Sequence, residues 1–374
     1  MTVSHNLLVD AHEDLAYNMR TFGRDYTRSV AETRRYETNT DIPAFNGQTL
    51  LGWDAYQQGR VAVVFSTLFA GPVRHKGGEW DTQTYETFDE AHALYKAQIE
   101  AYHRLVDDHP DKYRLIYTRS DLDAVLADWR KPLPEETEET GPVGHTVGMV
   151  VLMENAEGVR AVSELEEWWS LGVRMIGPAW TGTRYCGGTK EPGPLTKDGY
   201  ALLEAMAELG FALDLSHMDE RAALQALDTF PGHMIASHAN AKALLEDQTS
   251  NRQLPDAVIE GLVGRGGVIG LVPFNIFLKS GWKRGDEREL VPLQTYVNHI
   301  DYVCQIAGDA KHAAIGTDFD GGFGLDCVPL EIGTIADMHK IVPLLVEKGY
   351  SDADVSAILG QNWLRILQET LPEH

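Results

Sequence analysis

The sequence predicts an α/β protein that folds as a (β/α)8, or TIM, barrel, on three observations. Eight short apolar segments alternate with segments of helical periodicity along most of the chain. Most apolar segments are continuous rather than alternating, which is typical of parallel strands buried on both faces. The chain has 374 residues, 43% of them hydrophobic, which exceeds the usual size of a single domain other than a barrel.

The expected strands are short runs rich in Val, Ile, Leu and Ala. They cover residues 5–10, 61–67, 147–153, 173–177, 211–215, 233–237, 268–272 and 313–316. Helical patterns are expected at residues 84–108, 160–170, 196–209, 219–228, 255–265 and 293–307, and at about 334–348, 351–359 and 361–369. Another helix should start near Thr118 or Ser120, since either side chain can cap a first turn.

Three segments fall outside this alternation. Residues 11–58 are polar and aromatic, with one helix expected at about 48–58, and we expect them to lie over the mouth of the site. Residues 70–81 form a loop with Gly, His and Trp, and residues 131–139 form a charged surface loop. We expect residues 1–374 to be one hydrolase domain that ends in helices from about residue 334.

A doubly wound open sheet is the alternative fold. No Gly-x-Gly-x-x-Gly opens a helix after a strand, and the chain has no phosphate-binding loop, so the barrel is favoured.

Composition and charge exclude several classes of partner. The formal net charge of −24 argues against nucleic acid and anionic membrane as partners. No run of about 18 apolar residues is present, so we expect no membrane span. The N-terminus lacks the basic and apolar regions of a secretory signal. Three scattered cysteines do not make a disulfide framework, and a cytoplasmic location is expected.

Metal-binding side chains follow five of the expected strands, at the ends where barrel enzymes place their catalytic groups. They are His12 and Asp14, then Glu154, His217, His238, and Asp318 with Asp320. Nitrogen and oxygen ligands without a thiolate favour zinc, with manganese or cobalt as substitutes. The set is too large for one tetrahedral ion, whereas two divalent ions about 3.5–4 Å apart that share a carboxylate would use it all.

Each of these residues also has an ordinary structural explanation. A single histidine such as His217 or His238 is more often a core residue, Glu154 could be a carboxylate at a helix N-terminus, and Asp318 could be a turn residue. Their joint placement favours the metal site. We expect the other histidines, His75 among them, to be structural or exposed.

Six short motifs occur in order along the chain. They are residues 9–15 (VDAHEDL), 214–217 (DLSH), 237–240 (SHAN), 251–253 (NRQ), 316–321 (GTDFDG) and 361–365 (QNWLR). Each is weak alone, but together they resemble the membrane (renal-type) dipeptidases of the metal-dependent amidohydrolase superfamily. The resemblance extends from residue 9 to about residue 369.

The resemblance implies a zinc-dependent dipeptidase with two ions per chain and a metal-bridging hydroxide. His12, Asp14 and Glu154 resemble the ligands of one zinc, and Glu154 resembles the carboxylate shared with a second zinc, held also by His217 and His238. Asp318 resembles the residue that takes a proton from the water and passes it on. Arg252 resembles the arginine that binds the free carboxylate of the substrate.

The match departs from the family at Trp180, which takes the place of a histidine thought to polarise the scissile carbonyl in mammalian members. That leaves the oxyanion-stabilising group open. Trp180 and Tyr185 are further candidates for substrate binding, and Asp320 could also line the pocket. The expected partner is a small dipeptide, including one with a D-residue at its C-terminus, and a homodimer is compatible with the sequence.

Other functions remain open at this point. The same metal chemistry could act on an N-acyl amino acid, a β-lactam or a lactone. An inactive metal-binding protein is disfavoured because all the expected ligands are present.

Overall fold

A computed structural model of the chain describes residues 6–133, 143–246 and 249–373. Its centre is a ring of eight buried strands, which we number β1 to β8. They are β1 (Leu8–Glu13), β2 (Val61–Leu68), β3 (Val147–Glu154), β4 (Val173–Gly177), β5 (Ala212–Asp214), β6 (Met234–Ile235), β7 (Ile269–Leu271) and β8 (Ala313–Ile315).

The strands pair in parallel and in chain order. Continuous ladders join β1 through to β6, and a separate ladder joins β7 to β8. Single parallel bridges, Ala236 to Ile269 and Glu13 to Phe319, close the ring on either side of the β7–β8 pair. The predicted (β/α)8 barrel is therefore confirmed, and the carboxyl ends of all eight strands meet at one face.

The barrel interior is narrow between β6, β7 and β8. A side-chain carbon added at Gly270 or at Gly316 would lie 1.9 Å from the carbonyl oxygen of Ser237. Only glycine permits this approach of one backbone to another, so these two positions bring the ends of the three strands together.

Helices surround the barrel, and short strand pairs lie outside it. The α-helices are Leu15–Phe22, Val30–Glu37, Ile42–Asn46, Trp53–Gln58, Phe88–Asp108, Arg119–Asp128, Leu165–Leu171, Lys197–Leu209, Glu220–Thr229, Asp256–Gly264, Asn275–Leu278, Leu293–Ala307, Ile341–Glu347, Asp352–Ser356 and Asn362–Thr370. Single turns of 3₁₀ helix include Val162–Glu164, and a π-helical turn covers Ala357–Gln361. The minor strands are Gly71–Pro72, Thr84–Tyr85, Tyr113–Leu115, Cys186–Gly188 and Glu191–Leu195. Within the described residues, no helix is both long and apolar enough to cross a membrane.

The first strand lies three residues later than expected, so His12 belongs to β1 and does not follow it. The expected strand ended at Asp10, but β1 continues to Glu13, and the side chains of Asp10 and Glu13 are both fully buried. Asp10 accepts hydrogen bonds from the amide and hydroxyl of Thr317, and Glu13 accepts one from the Tyr56 hydroxyl. These partners stabilise the two buried carboxyl groups inside the strand.

The segment 11–58 also differs from the prediction. It contains four helices where one was expected, and the last of them, Trp53–Gln58, is shorter than the predicted helix. Ser29 caps the second with a reciprocal hydrogen bond to Glu32. Elsewhere Thr118 caps the helix Arg119–Asp128 as predicted. Most of the charged loop at residues 131–139 lies outside the described residues.

Candidate metal centre

The side chains predicted to bind metal converge at the carboxyl face of the barrel. His12, on β1, directs its Nε2 atom toward three carboxylates from different parts of the chain. This nitrogen lies 3.8 Å from Oδ2 of Asp14, 3.7 Å from Oε2 of Glu154 and 3.9 Å from Oδ1 of Asp318. Residues separated by up to about 300 positions therefore meet at one point, as parallel strand ends require.

Glu154, the last residue of β3, lies between two groups of candidate ligands. Its Oε2 atom faces His12, whereas its Oε1 atom lies 3.1 Å from Nε2 of His217 and 3.4 Å from Nε2 of His238. One carboxylate thus presents its two oxygens to two different nitrogen sets. This is the arrangement expected of a carboxylate shared by two ions.

The candidate ligand atoms form three overlapping groups, and in each group they lie within 4.8 Å of one another. The groups are His12, Asp14 and Glu154; Glu154, His217 and His238; and His12, His238 and Asp318. Asp318 therefore lies close to a member of each of the other two groups, His12 and His238.

Several of these atoms are buried without a hydrogen-bond partner in the described part of the chain. They are Nε2 of His12, Oδ1 of Asp14 and Oε1 of Glu154. A buried polar atom without a partner destabilises a fold by about 1–3 kcal/mol. A divalent cation at each position would supply the missing partner, so the residues present fit a pair of metal ions.

The histidines are electrically neutral. Burial, with a smaller contribution from the Arg252 guanidinium, lowers the pKa of His12 to about 3. Burial likewise lowers the pKa values of His217 and His238 well below their ordinary value. A neutral imidazole offers a lone pair on one nitrogen, which is the form that binds a metal.

The pKa values of the carboxyl groups shift in the opposite direction. Burial, together with the charge of Asp320, raises the pKa of Asp14 to about 7. Burial and the charge of Asp14 raise the pKa values of Glu154 and Asp318 well above the ordinary range. Negative charges packed together out of water favour a cation among them, which restores the ionised form.

A second layer of hydrogen bonds orients the imidazoles. The Ser237 hydroxyl donates to Oδ2 of Asp214 and lies 2.7 Å from Nδ1 of His238. Because that hydroxyl proton is directed to Asp214, Nδ1 of His238 donates to the Ser237 oxygen, and Nε2 keeps its lone pair for the centre. Nδ1 of His217 lies 2.9 Å from the Thr189 hydroxyl, which supports the same tautomer.

Two residues of the three candidate metal groups have an unusual backbone. His217 and Asp318 have φ values of 65° and 57°, in the left-handed region that residues other than glycine seldom adopt. Each lies three residues beyond a short strand, β5 or β8, and its side chain belongs to one of the candidate ligand groups. Strain of this kind persists where packing enforces it, and it is found most often at functional sites.

Two cavities open beside the centre. A cavity of about 280 Å³ is bounded by candidate ligands, including Asp14 and Glu154, and by an aromatic wall. A second cavity of about 260 Å³ is bounded by Arg252. Both cavities include His75, Trp180, His217 and Phe277 in their walls, so they meet beside the metal centre.

Arg252 is buried and only partly satisfied. Its Nη2 atom donates to the carbonyl oxygen of His238 at 2.7 Å, whereas its Nε and Nη1 atoms have no hydrogen-bond partner among the described residues. Its guanidinium carbon lies 5.1 Å from the centre of the Phe277 ring. A planar guanidinium with two unpartnered nitrogen atoms beside a cavity is suited to bind a carboxylate.

The structure corrects the expectations for three other residues. Asp320 is fully buried and does not line the pocket, because its carboxylate accepts hydrogen bonds from the side chains of Tyr26 and Thr49 and pairs with Arg24. Tyr185 is not in the wall of either cavity, and its hydroxyl donates to the carbonyl of Val159.

His75, expected to be structural or exposed, instead lies in the walls of both cavities. Its Nε2 atom lies 2.9 Å from Oε1 of Glu191. The Gly-, His- and Trp-bearing composition of residues 70–81 was the only sequence signal for this wall. Trp180 was expected at the pocket, and its ring centre lies 6.4 Å from that of His217.

Comparison with known proteins places the chain among peptidases. The family described as membrane dipeptidase (Peptidase family M19) matches residues 2–372. A Klebsiella pneumoniae protein, described as an uncharacterised protein in the pqqA 5′ region, is 32% identical over 232 residues, covering 59% of this chain and 82% of that protein. Dipeptidase verJ of Clonostachys rogersoniana is 25% identical over 371 residues, covering 96% of this chain and 83% of that protein.

A solved structure shares the fold. A metallopeptidase from Rhodobacter sphaeroides, crystallised with a phosphinate mimic of the dipeptide L-Ala-D-Ala, superposes with a TM-score of 0.75 at 20% identity. The alignment covers 98% of this chain and 99% of that protein.

Proposed function

The chain belongs to the membrane dipeptidase family, and we propose that it hydrolyses the amide bond of small dipeptides with two divalent metal ions, zinc first among them. The observation that carries this proposal is the position of Glu154, whose two carboxylate oxygens face two separate sets of histidine nitrogens.

In this proposal His12, Asp14 and Glu154 hold one ion, and Glu154, His217 and His238 hold the other. Bound there, the ions would lower the pKa of a water molecule and polarise the substrate carbonyl. The hydrogen bonds of His238 to Ser237 and of His217 to Thr189 orient the two imidazoles toward the ions.

Asp318 is proposed to carry the proton. It lies in the wall of the cavity, and its Oδ1 atom is 3.9 Å from Nε2 of His12. From this place it can accept a proton from the attacking water as a general base. It can then deliver that proton to the leaving amine as a general acid.

Arg252 is proposed to bind the C-terminal carboxylate of the substrate through its two unpartnered nitrogen atoms, Nε and Nη1. Its cavity joins the metal centre beside His217, so a carboxylate held by Arg252 places the adjacent amide over the ions. A fixed carboxylate one residue from the scissile bond selects dipeptides over longer chains.

The test is hydrolysis by protein purified without chelator, with metal content measured in parallel. The substrate panel pairs L-Xaa-L-Xaa with L-Xaa-D-Xaa dipeptides, because the similar Rhodobacter sphaeroides protein was crystallised with a mimic of L-Ala-D-Ala. We expect about two ions per chain and release of free amino acids, and hydrolysis by metal-free protein would contradict the proposal. Esters, lactones and N-acyl amino acids in the same panel test the alternative substrates.

The shared carboxylate has its own test. Glu154→Gln should lower the metal content below two per chain, because an amide has only one oxygen to offer. The matched control is Glu157→Gln, since Glu157 is also buried but accepts a hydrogen bond from the amide of Arg184, away from the centre. Equal metal content in both variants would mean that Glu154 is not shared.

A further inference from the structure

The cavity beside the metal centre contains a fourth carboxylate that belongs to none of the three candidate metal groups. Asp81 lies in its wall with only 8% of its surface exposed. It stands in the loop that follows β2, next to Trp80, which also lines the cavity. The proposed reaction makes no use of this residue.

The Asp81 carboxylate is held in a fixed orientation. Its Oδ1 atom accepts a hydrogen bond from the Tyr17 hydroxyl at 2.8 Å, and its Oδ2 atom accepts one from the Gly77 amide at 3.1 Å. Each carboxylate oxygen has capacity for a further donor. The side chain is therefore positioned by its surroundings with acceptor capacity still free.

Asp81 has no cationic partner in the part of the chain that the structure describes. Among the described residues, no lysine, arginine or histidine lies within ion-pair distance of it, and no lysine or arginine lines this cavity. A nearly buried carboxylate without a cationic partner is unfavourable unless something charged joins it. A cation on the substrate would complete the pair.

An aromatic wall leads from the metal centre to Asp81. The ring centres of Trp180 and His217 are 6.4 Å apart, those of Phe69 and Trp180 are 5.2 Å apart, and those of Tyr17 and Phe69 are 5.8 Å apart. The Tyr17 hydroxyl then contacts Asp81. Apolar rings that end in a carboxylate match a side chain with an aliphatic stem and a charged tip.

We propose that Asp81 is a specificity-determining residue that favours dipeptides whose N-terminal residue has a cationic side chain, lysine or arginine. The inference rests on the proposed function, because it takes the substrate's carboxylate to lie at Arg252 and its amide over the metal centre. The N-terminal side chain then extends into the Asp81 cavity, away from Arg252.

The α-ammonium group is the other cation that such a substrate offers. It is attached to the carbon next to the scissile carbonyl, so it stays within about 2.5 Å of the reacting carbon. Asp81 belongs to none of the metal groups but shares the cavity wall with Asp14 and Glu154 of those groups, so the tip of a long side chain, rather than the α-ammonium, would meet it. The two sources of positive charge give different results in the test below.

The test compares L-lysyl-L-alanine with L-norleucyl-L-alanine, which has a side chain of the same carbon length without the ammonium group. In the wild-type protein loaded with zinc, we expect a kcat/KM about 10-fold or more higher for the lysyl substrate, chiefly through KM. Asp81→Asn should reduce this preference by about 10- to 100-fold, the range of a charge-assisted hydrogen bond. Glu79→Gln, an exposed carboxylate of the same loop, is the matched control and should leave the preference unchanged.

The outcomes separate the two proposals. A wild-type protein that hydrolyses both substrates equally well overturns this inference alone, without reference to any variant. Equal losses on both substrates in Asp81→Asn also overturn it, because they assign Asp81 to the α-ammonium or to structure. A zinc-loaded protein that hydrolyses neither substrate contradicts the proposed function, and this inference with it.

Discussion

The Nη1 atom of Arg24 lies 2.9 Å from Oδ2 of Asp320, and both side chains are almost completely buried. Arg24 also pairs with Glu37 at 2.8 Å and donates to the carbonyl of Gly47. Asp320 accepts the amide of Leu50. The pair thus joins the segment between β1 and β2 to the turn after β8, two residues beyond Asp318, and so supports the wall of the site.

Replacing Asp320 should destabilise the protein strongly. Asp320→Ala removes one of the two carboxylates that pair with the buried Arg24 and leaves the buried Tyr26 hydroxyl without its acceptor, and breaking a buried ion pair costs about 3–5 kcal/mol. We expect that loss in the free energy of unfolding, measured by urea denaturation of metal-free protein. Glu167→Gln is the control, because Glu167 pairs with Lys96 at the surface, where such pairs contribute at most about 1 kcal/mol. Similar losses of unfolding free energy in the two variants would show that the buried pair contributes no more than the surface pair.

Ser237→Ala should weaken metal binding without removing a ligand. The hydroxyl links Asp214 to Nδ1 of His238, and loss of such an outer contact typically lowers metal affinity about 10- to 100-fold. Competition with a chelator of known affinity measures the change. The control is Ser66→Ala, because the buried Ser66 on β2 has no hydrogen-bond partner for its hydroxyl within the described residues. Equal affinity in the two variants would refute an orienting role for Ser237.

Arg252→Ala should raise KM for dipeptides much more than for the same compounds with an amidated C-terminus. A charge-assisted hydrogen bond contributes about 1.5–3 kcal/mol, which corresponds to about a 10- to 100-fold change. The amidated substrate is the internal control, because it lacks the carboxylate but keeps the scissile bond. Equal effects on the two substrates would mean that Arg252 does not bind the carboxylate.

Asp318→Asn distinguishes a proton carrier from a metal ligand. If Asp318 carries the proton, the variant should keep its metal content while kcat falls by about 10²–10⁴. KM should change little, since the group acts mainly in the transition state. If Asp318 is a metal ligand, the variant should lose metal instead, because Asp318 forms one candidate group with His12 and His238. The measurement is kcat together with metal content, with and without added zinc. Substantial recovery by zinc would assign Asp318 as a ligand.

The barrel and the core of the site were predictable from the sequence. The continuous apolar segments indicated buried parallel strands, and the strand at residues 173–177 and the helix at residues 293–307 were placed with their observed bounds. Because parallel strands end at one face, His12, Glu154, His217 and Asp318 had to approach one another once the barrel was inferred. Local sequence was sufficient there because strand order alone brings the residues together.

The walls of the site were decided by tertiary structure. Asp81 and His75 lie on a loop. The sequence allowed Asp320 to line the pocket, but in the structure Asp320 pairs with Arg24, which lies 296 positions earlier in the chain. The direction of a loop side chain depends on which distant groups complete its hydrogen bonds and charges. Those long-range partners leave no periodic signal in the sequence, whereas the apolar pattern of a buried strand repeats locally.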